Sequence, residues 1–118
     1  MPDPVLTAED LAGKLQGTLG KWRLEDGEIR RTYRTHGWKG TVLAAGAVAH
    51  LAEVAWHHPD LLLSWDKVEV RLVTHDSGGI TEKDLALARQ IEAVLTWAPP
   101  SPLDGTPLDP RSAYLRAD

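Results

Sequence analysis

The sequence predicts an α+β domain: a four-stranded antiparallel sheet with three helices on one face, in the order α-β-β-α-β-β-α. Three observations lead there. Two helix starts, Thr7-Ala8-Glu9-Asp10 and Thr81-Glu82-Lys83-Asp84, share one pattern: an apolar residue, a threonine cap and a carboxylate three positions on. An Asp26-Gly27 step between apolar-polar alternations marks a tight hairpin. Residues 68–74 alternate with period two, as a strand with one buried face does.

Each element can be justified in order. Leu6 and Leu11 are placed to clasp the first helix start, Leu15 extends its apolar stripe, and Gly17 is the expected stop. Trp22, Leu24, Ile29 and Tyr33 carry the hairpin. In residues 41–56, Val42, Ala45, Ala49, Ala52 and Trp56 fall at helical spacing, and the small side chains let this helix lie close to a sheet. His57-His58-Pro59 ends it, because proline disfavours helical backbone in the residue before it. Leu61, Leu62 and Leu63 form a short apolar strand, and Trp65-Asp66-Lys67 is the turn into the alternating strand. Residues 76–79 are a loop. Ala88, Ile91 and Leu95 carry the last helix to about Trp97. A two-layer domain with a bare sheet face and uncovered edges favours self-association, so a homodimer or homotetramer is expected.

Composition bounds the function. The chain has 118 residues, which is one domain (residues 1–97) followed by a tail (residues 98–118) that holds five of the eight prolines. There is no cysteine, which excludes disulfides and thiolate chemistry. The net charge of −4 and the lack of a basic block argue against nucleic acid as a partner. No apolar run approaches the ~20 residues of a membrane helix, and no signal peptide is seen, so no membrane association and a cytoplasmic location are expected. Phenylalanine is absent while there are five tryptophans, which are expected in the core.

The chemistry concentrates around Glu53, His57, His58 and His75. Two adjacent histidines at a helix exit and a third at a strand end have two chemical uses. Three imidazoles can hold zinc, but adjacent histidines diverge unless the backbone turns sharply between them. Metal-free proton transfer is the better fit, because imidazole both gives and takes a proton near neutrality. A nearby carboxylate such as Glu53 would fix a tautomer. Asp84 is accounted for by helix capping.

The spacing Glu53-x3-His57-His58-Pro59-x5-Trp65-x9-His75-x8-Asp84 resembles the signature of the pterin-4a-carbinolamine dehydratases. Gly20-Lys21-Trp22, Val73-Thr74-His75 and Gly79-Ile80-Thr81-Glu82-Lys83-Asp84 are similar to the family as well. The resemblance implies dehydration of 4a-hydroxytetrahydropterin to quinonoid dihydropterin, with no metal or organic cofactor. It implies His57, His58 and His75 as the acid/base set, with Glu53 orienting them. It places Asp60 and Thr74 at the polar edge of the pterin substrate and Trp22 in the site wall. Three features depart from the family. Tyr33 and Trp38 stand where its first half usually has phenylalanine. Trp56 stands directly before the histidine pair, where a bulky indole narrows the pocket. The tail extends past the usual end, and Tyr114, Leu115, Arg111 and Arg116 are candidates for docking on a neighbour. The last two departures sustain an alternative: similarity to the dehydratase-like RuBisCO assembly factors of α-carboxysomes, with the RuBisCO large subunit as partner.

Overall fold

Local signals set most of the element ends. In the computed structural model, which describes residues 2–98, 103–104 and 114–116, Thr7 caps α1 (Ala8–Lys14). The Asp10 amide donates to the Thr7 hydroxyl at 3.0 Å, and the Thr7 amide donates back to the Asp10 carboxylate at 3.1 Å. That second bond holds the Asp10 carboxyl below its usual pKa. A 3₁₀ turn at Gly17–Leu19, unforeseen in the sequence, buries Leu19 and leads into β1 (Arg23–Glu25). Asp26 and Gly27 both take positive φ, 51° and 77°, the backbone of the tight turn predicted there. They connect β1 to β2 (Glu28–Arg34).

Helix α2 (Trp38–Ala55) starts three residues earlier than the periodicity suggests. Its cap is Gly37 at φ 128°, with no side-chain hydrogen bond, so no capping residue announces it. Strands β3 (Asp60–Ser64) and β4 (Lys67–Leu72) follow, joined through Trp65 and Asp66, and α3 (Glu82–Leu95) closes the fold. The sheet order is β1-β2-β4-β3, with each neighbour antiparallel. Helix α2 therefore carries the chain from β2 to the far edge, and β4 returns to fill the gap.

Register assigns the two faces. Ile29 pairs with Leu72, Arg31 with Val70 and Tyr33 with Val68, and these side chains meet the helices. Ala44, Val48 and Ala52 of α2 and Leu85, Ala88 and Ile91 of α3 complete one core. The predicted stripe of α2 is only partly right: of Val42, Ala45, Ala49, Ala52 and Trp56 only Ala45 and Ala52 are buried, because the inward face of the helix runs instead through Thr41, Ala44, Val48 and Ala52. The opposite face carries paired charges: Arg23 with Glu25 and Glu69, Arg30 with Glu25 and Glu28, and Arg71 with Glu69. Glu69 is held below its ordinary pKa, first by its hydrogen bond from Arg71.

Two expectations need correction. Of the five tryptophans only Trp22 is buried; Trp38, Trp56, Trp65 and Trp97 are between 52% and 75% exposed. Helix ends and turns hold all four, where little of the core is within reach. One described part of the tail, Tyr114–Arg116, does not project outward. It lies along the end of this chain's own β2: Leu115 bridges Thr35, the His36 amide donates to the Tyr114 carbonyl at 3.1 Å, and the Arg116 amide donates to the Arg34 carbonyl at 2.9 Å. Leu103, by contrast, is exposed. Arg111 and the rest of the tail apart from Ala98, Leu103 and Asp104 lie outside the described residues.

One polar cluster stands inside the apolar layer. Glu92 Oε1 accepts from Arg31 Nε at 2.7 Å, the Tyr33 hydroxyl at 2.7 Å and Trp22 Nε1 at 3.1 Å. Burial, together with this bond, raises the Tyr33 phenol well above its ordinary pKa. Buried donors that lose their acceptor are costly, so Glu92→Ala is expected to destabilise the fold by about 3–5 kcal/mol in urea denaturation followed by circular dichroism. Glu92→Gln should lose less, because it keeps an acceptor oxygen. The tail gives a second prediction. A Cβ on Gly40 would meet the Tyr114 carbonyl oxygen at 2.7 Å. Gly40→Ala should therefore release the tail while favouring the helix. Hydrogen exchange should show loss of protection at His36 and Arg116, with α2 amides still protected.

Candidate active site

The turn at the end of α2 creates the site. The Trp56 amide donates to the Glu53 carbonyl at 3.2 Å and the His57 amide donates to the Ala52 carbonyl at 3.1 Å, while Trp56 itself is left-handed at φ 53°. These are the paired bonds of a Schellman termination. The helix thus stops before the histidines, one step earlier than proline alone would require. The sharp turn sits at Trp56, before both histidines and not between them, so the two adjacent side chains diverge.

Beyond that turn the two rings go to different carboxylates. His57 Nε2 lies 2.6 Å from Asp84 Oδ1, and His58 Nε2 lies 2.8 Å from Glu53 Oε1. Asp84 is fully buried and the His57 side chain nearly so, at 0% and 14% exposure. The His58–Glu53 pair is open to solvent.

Asp84 does more than the capping expected of it. Its Oδ2 accepts from the Thr81 amide at 2.9 Å, which is the cap, and from the Thr74 hydroxyl at 2.8 Å. The Thr74 and Thr81 hydroxyls are 2.7 Å apart, and the Thr81 hydroxyl also accepts from the Lys83 amide at 3.3 Å. The donor sequence is therefore fixed: Lys83 amide to Thr81 hydroxyl, Thr81 to Thr74, Thr74 to Asp84. A charged carboxylate only accepts, so with Asp84 ionised His57 Nε2 carries the hydrogen of its bond, and Nδ1 is the nitrogen left for chemistry. The same reasoning gives His58 an Nε2–H on Glu53. Carboxylates of this kind fix tautomer and ring orientation.

The other sequence-predicted residues fall into two groups. His75 is exposed and follows Thr74 directly, so the loop that supplies a hydroxyl to Asp84 also carries the third imidazole. No hydrogen bond or ion pair ties its ring to a described residue. Thr74 is buried with its hydroxyl committed, so it positions Asp84 and is not free to meet a ligand. Asp60 opens β3 opposite Arg71, in register with the polar face of the sheet. Trp22 is not brought to the histidines. Its indole is spent on Glu92, eight residues or about two turns along α3 from Asp84. Among the described residues, no three histidine, aspartate or glutamate side chains gather as a metal ligand set.

Between α2 and α3 lies a cavity of about 680 Å³ with His57 in its wall. Trp56, Val54, His50 and Lys83 line it too. Such a volume is ample for a bicyclic ligand. His50 and Lys83 were not singled out from the sequence. His50 lies within α2 one turn before Val54, and no local pattern marked it for the cavity. Lys83 is raised above its ordinary pKa, first by its hydrogen bond to Asp3, 2.8 Å away. A second cavity, of about 500 Å³, lies by Glu92 near the other end of α3 and contains no histidine. Among the described residues no helix is long and apolar enough to cross a membrane.

Comparisons with known proteins place the fold in a family. The profile of the family described as "Pterin 4 alpha carbinolamine dehydratase" matches residues 4–94. A protein of Aquifex aeolicus described as "Putative pterin-4-alpha-carbinolamine dehydratase" is 41% identical over 90 residues, which is 76% of this chain and 90% of its own. A Chloroflexus aurantiacus protein with the same description is 45% identical over 92 residues, covering 78% and 98%. Among solved structures, a "transcriptional coactivator/pterin dehydratase" from Brucella melitensis is similar with a TM-score of 0.71 at 28% identity, covering 77% of this chain and 98% of its own. With its fold, its histidine–carboxylate pairs and a profile match over most of its length, the chain belongs to the pterin-4-alpha-carbinolamine dehydratase family.

Proposed function

We propose that the protein dehydrates a 4a-hydroxytetrahydropterin to the quinonoid dihydropterin by histidine acid/base catalysis. The observation that supports this most directly is the pair of carboxylate-held imidazoles at the α2 exit, His57 on Asp84 and His58 on Glu53. The reaction moves two protons and breaks one bond. An imidazolium gives a proton to the 4a-hydroxyl, the C4a–O bond breaks and water leaves. A neutral imidazole takes the proton from N5, whose electron pair forms the C4a=N5 bond. Groups that titrate near neutrality suit both acts. His75, on the loop that also feeds Asp84, completes the set. The reading needs no metal or organic cofactor. It assigns Thr74 and Asp84 to positioning and keeps Asp60 and Trp22 out of the reacting shell. Family membership supports the substrate class.

The assembly-factor alternative drew on the tail. Tyr114–Arg116 lie against the end of this chain's own β2, so that segment does not present a docking arm. Self-association as a homodimer or homotetramer is retained as part of the proposal.

Purified protein should speed the loss of synthetic 4a-hydroxytetrahydropterin, followed by ultraviolet absorbance. A rate equal to that of buffer would overturn the reading. His57→Ala should lower kcat by roughly a hundredfold or more, the scale of general acid–base assistance. Asp84→Asn tests the positioning role separately. It should lower kcat about tenfold through His57 and also cost about 1–2 kcal/mol of stability through the lost cap.

A further inference from the structure

The residue between Glu53 and the histidines is an unlikely occupant of its own backbone. The left-handed position of a Schellman turn is the place of glycine or asparagine, because a Cβ there crowds the following carbonyl. Trp56 holds it at φ 53°. The only other described non-glycine residue at positive φ is Asp26, in the hairpin turn, where aspartate is at home. The strain at Trp56 is not offset by burial, since the residue is 75% exposed. What the indole does touch is the second catalytic imidazole. The Trp56 and His58 rings stand 4.9 Å apart between centroids and 85° from coplanar, the perpendicular arrangement aromatic rings favour. His58 is itself half exposed, and its only other tie among the described residues is Glu53.

We propose that Trp56 is a positioning residue for His58: the left-handed turn swings the indole across the imidazole, which is then held by Glu53 at Nε2 and by the Trp56 ring beside it. A solvated carboxylate alone leaves a half-exposed histidine several rotamers, since exposed ion pairs restrain little. A perpendicular ring contact removes some of that freedom without consuming a nitrogen. It leaves Nδ1 of His58 open to the substrate. Strain held at a functional turn, with the ring contact as its return, accounts for a tryptophan where local preference calls for a small residue. The proposal rests on the dehydratase reading for its kinetic consequence but not for its geometry.

The test separates the two. Trp56→Asn and Trp56→Gly both ease the left-handed backbone and remove the ring, whereas Trp56→Phe keeps a ring. The first two should melt a few degrees higher than the wild type. Their kcat should nevertheless fall about tenfold, the effect of losing one ring contact from a reacting group, with KM changed little. Trp56→Phe should stay within about threefold of wild type on the same scale. In proton NMR, the His58 ring signals should show the indole ring-current shift in the wild type and lose it in Trp56→Asn. Asn and Gly variants with wild-type kcat in an active enzyme would overturn the proposal. So would His58 ring signals that do not move between the wild type and Trp56→Asn. If the wild type itself fails to turn over the pterin, the dehydratase reading falls. The NMR comparison then still decides whether Trp56 holds His58.

Discussion

A buried carboxylate must be satisfied on every side, and Asp84 is satisfied by three separate parts of the chain. The Thr81 amide belongs to the start of α3, the Thr74 hydroxyl to the exit from β4, and the His57 imidazole to the exit from α2. Removing any one of them leaves charge uncompensated in a site with no water-exposed surface. The N-terminal end of a helix helps to hold that charge in place. The cap that starts α3 and the clamp that orients the His57 imidazole are therefore one interaction. The relative position of two helices and a strand is tied to it, which is why the site does not depend on loop conformation alone.

Glu92 shows what the same device does without an opening. It lies about two turns further along α3 and also collects three donors, from Trp22, Arg31 and Tyr33. All of its partners are buried, and none exchanges protons near neutrality. The cluster fixes the start of the sheet against the end of α3. Asp84, by contrast, passes its constraint to a ring that reaches the wall of an open cavity. One helix thus carries two buried carboxylates, and the chemical nature and exposure of their partners separate scaffold from site.

The fold was legible because its signals are local. Thr7 with Asp10, Thr81 with Asp84, Asp26-Gly27 and the alternation through Val68, Val70 and Leu72 each act within a few residues. The start of α2 was less legible, since Gly37 caps it through backbone geometry alone. The histidines and Glu53 could be read from type and spacing. Asp84 was visible as a cap, but its second oxygen serves a ring 27 positions away, and no local pattern encodes such a contact. The Glu92 cluster spans up to 70 positions and was hidden for the same reason. Trp22 looked like a site wall because an aromatic near a family motif is ambiguous until its N–H finds a partner. The tail was read as an outward arm because composition reports chain stiffness and polarity, whereas a return to β2 is decided by an unpaired strand edge.

Adjacent histidines would serve the same purpose twice if they shared one environment. Beyond the turn at Trp56 the two side chains diverge, which prevents that. His57 is directed between the helices, against a carboxylate that water does not reach, while His58 stays at the surface against a carboxylate that is two-thirds exposed. Salt and water screen the second pair and leave the first almost untouched. The two rings therefore sit in different surroundings, even though a single peptide bond joins them. The proposed dehydration would use that difference, because it needs one group to give a proton to the departing oxygen and another to accept one. The left-handed turn ends the helix ahead of the pair, adjacency sends the two rings in different directions, and two carboxylates at different depths give them different surroundings.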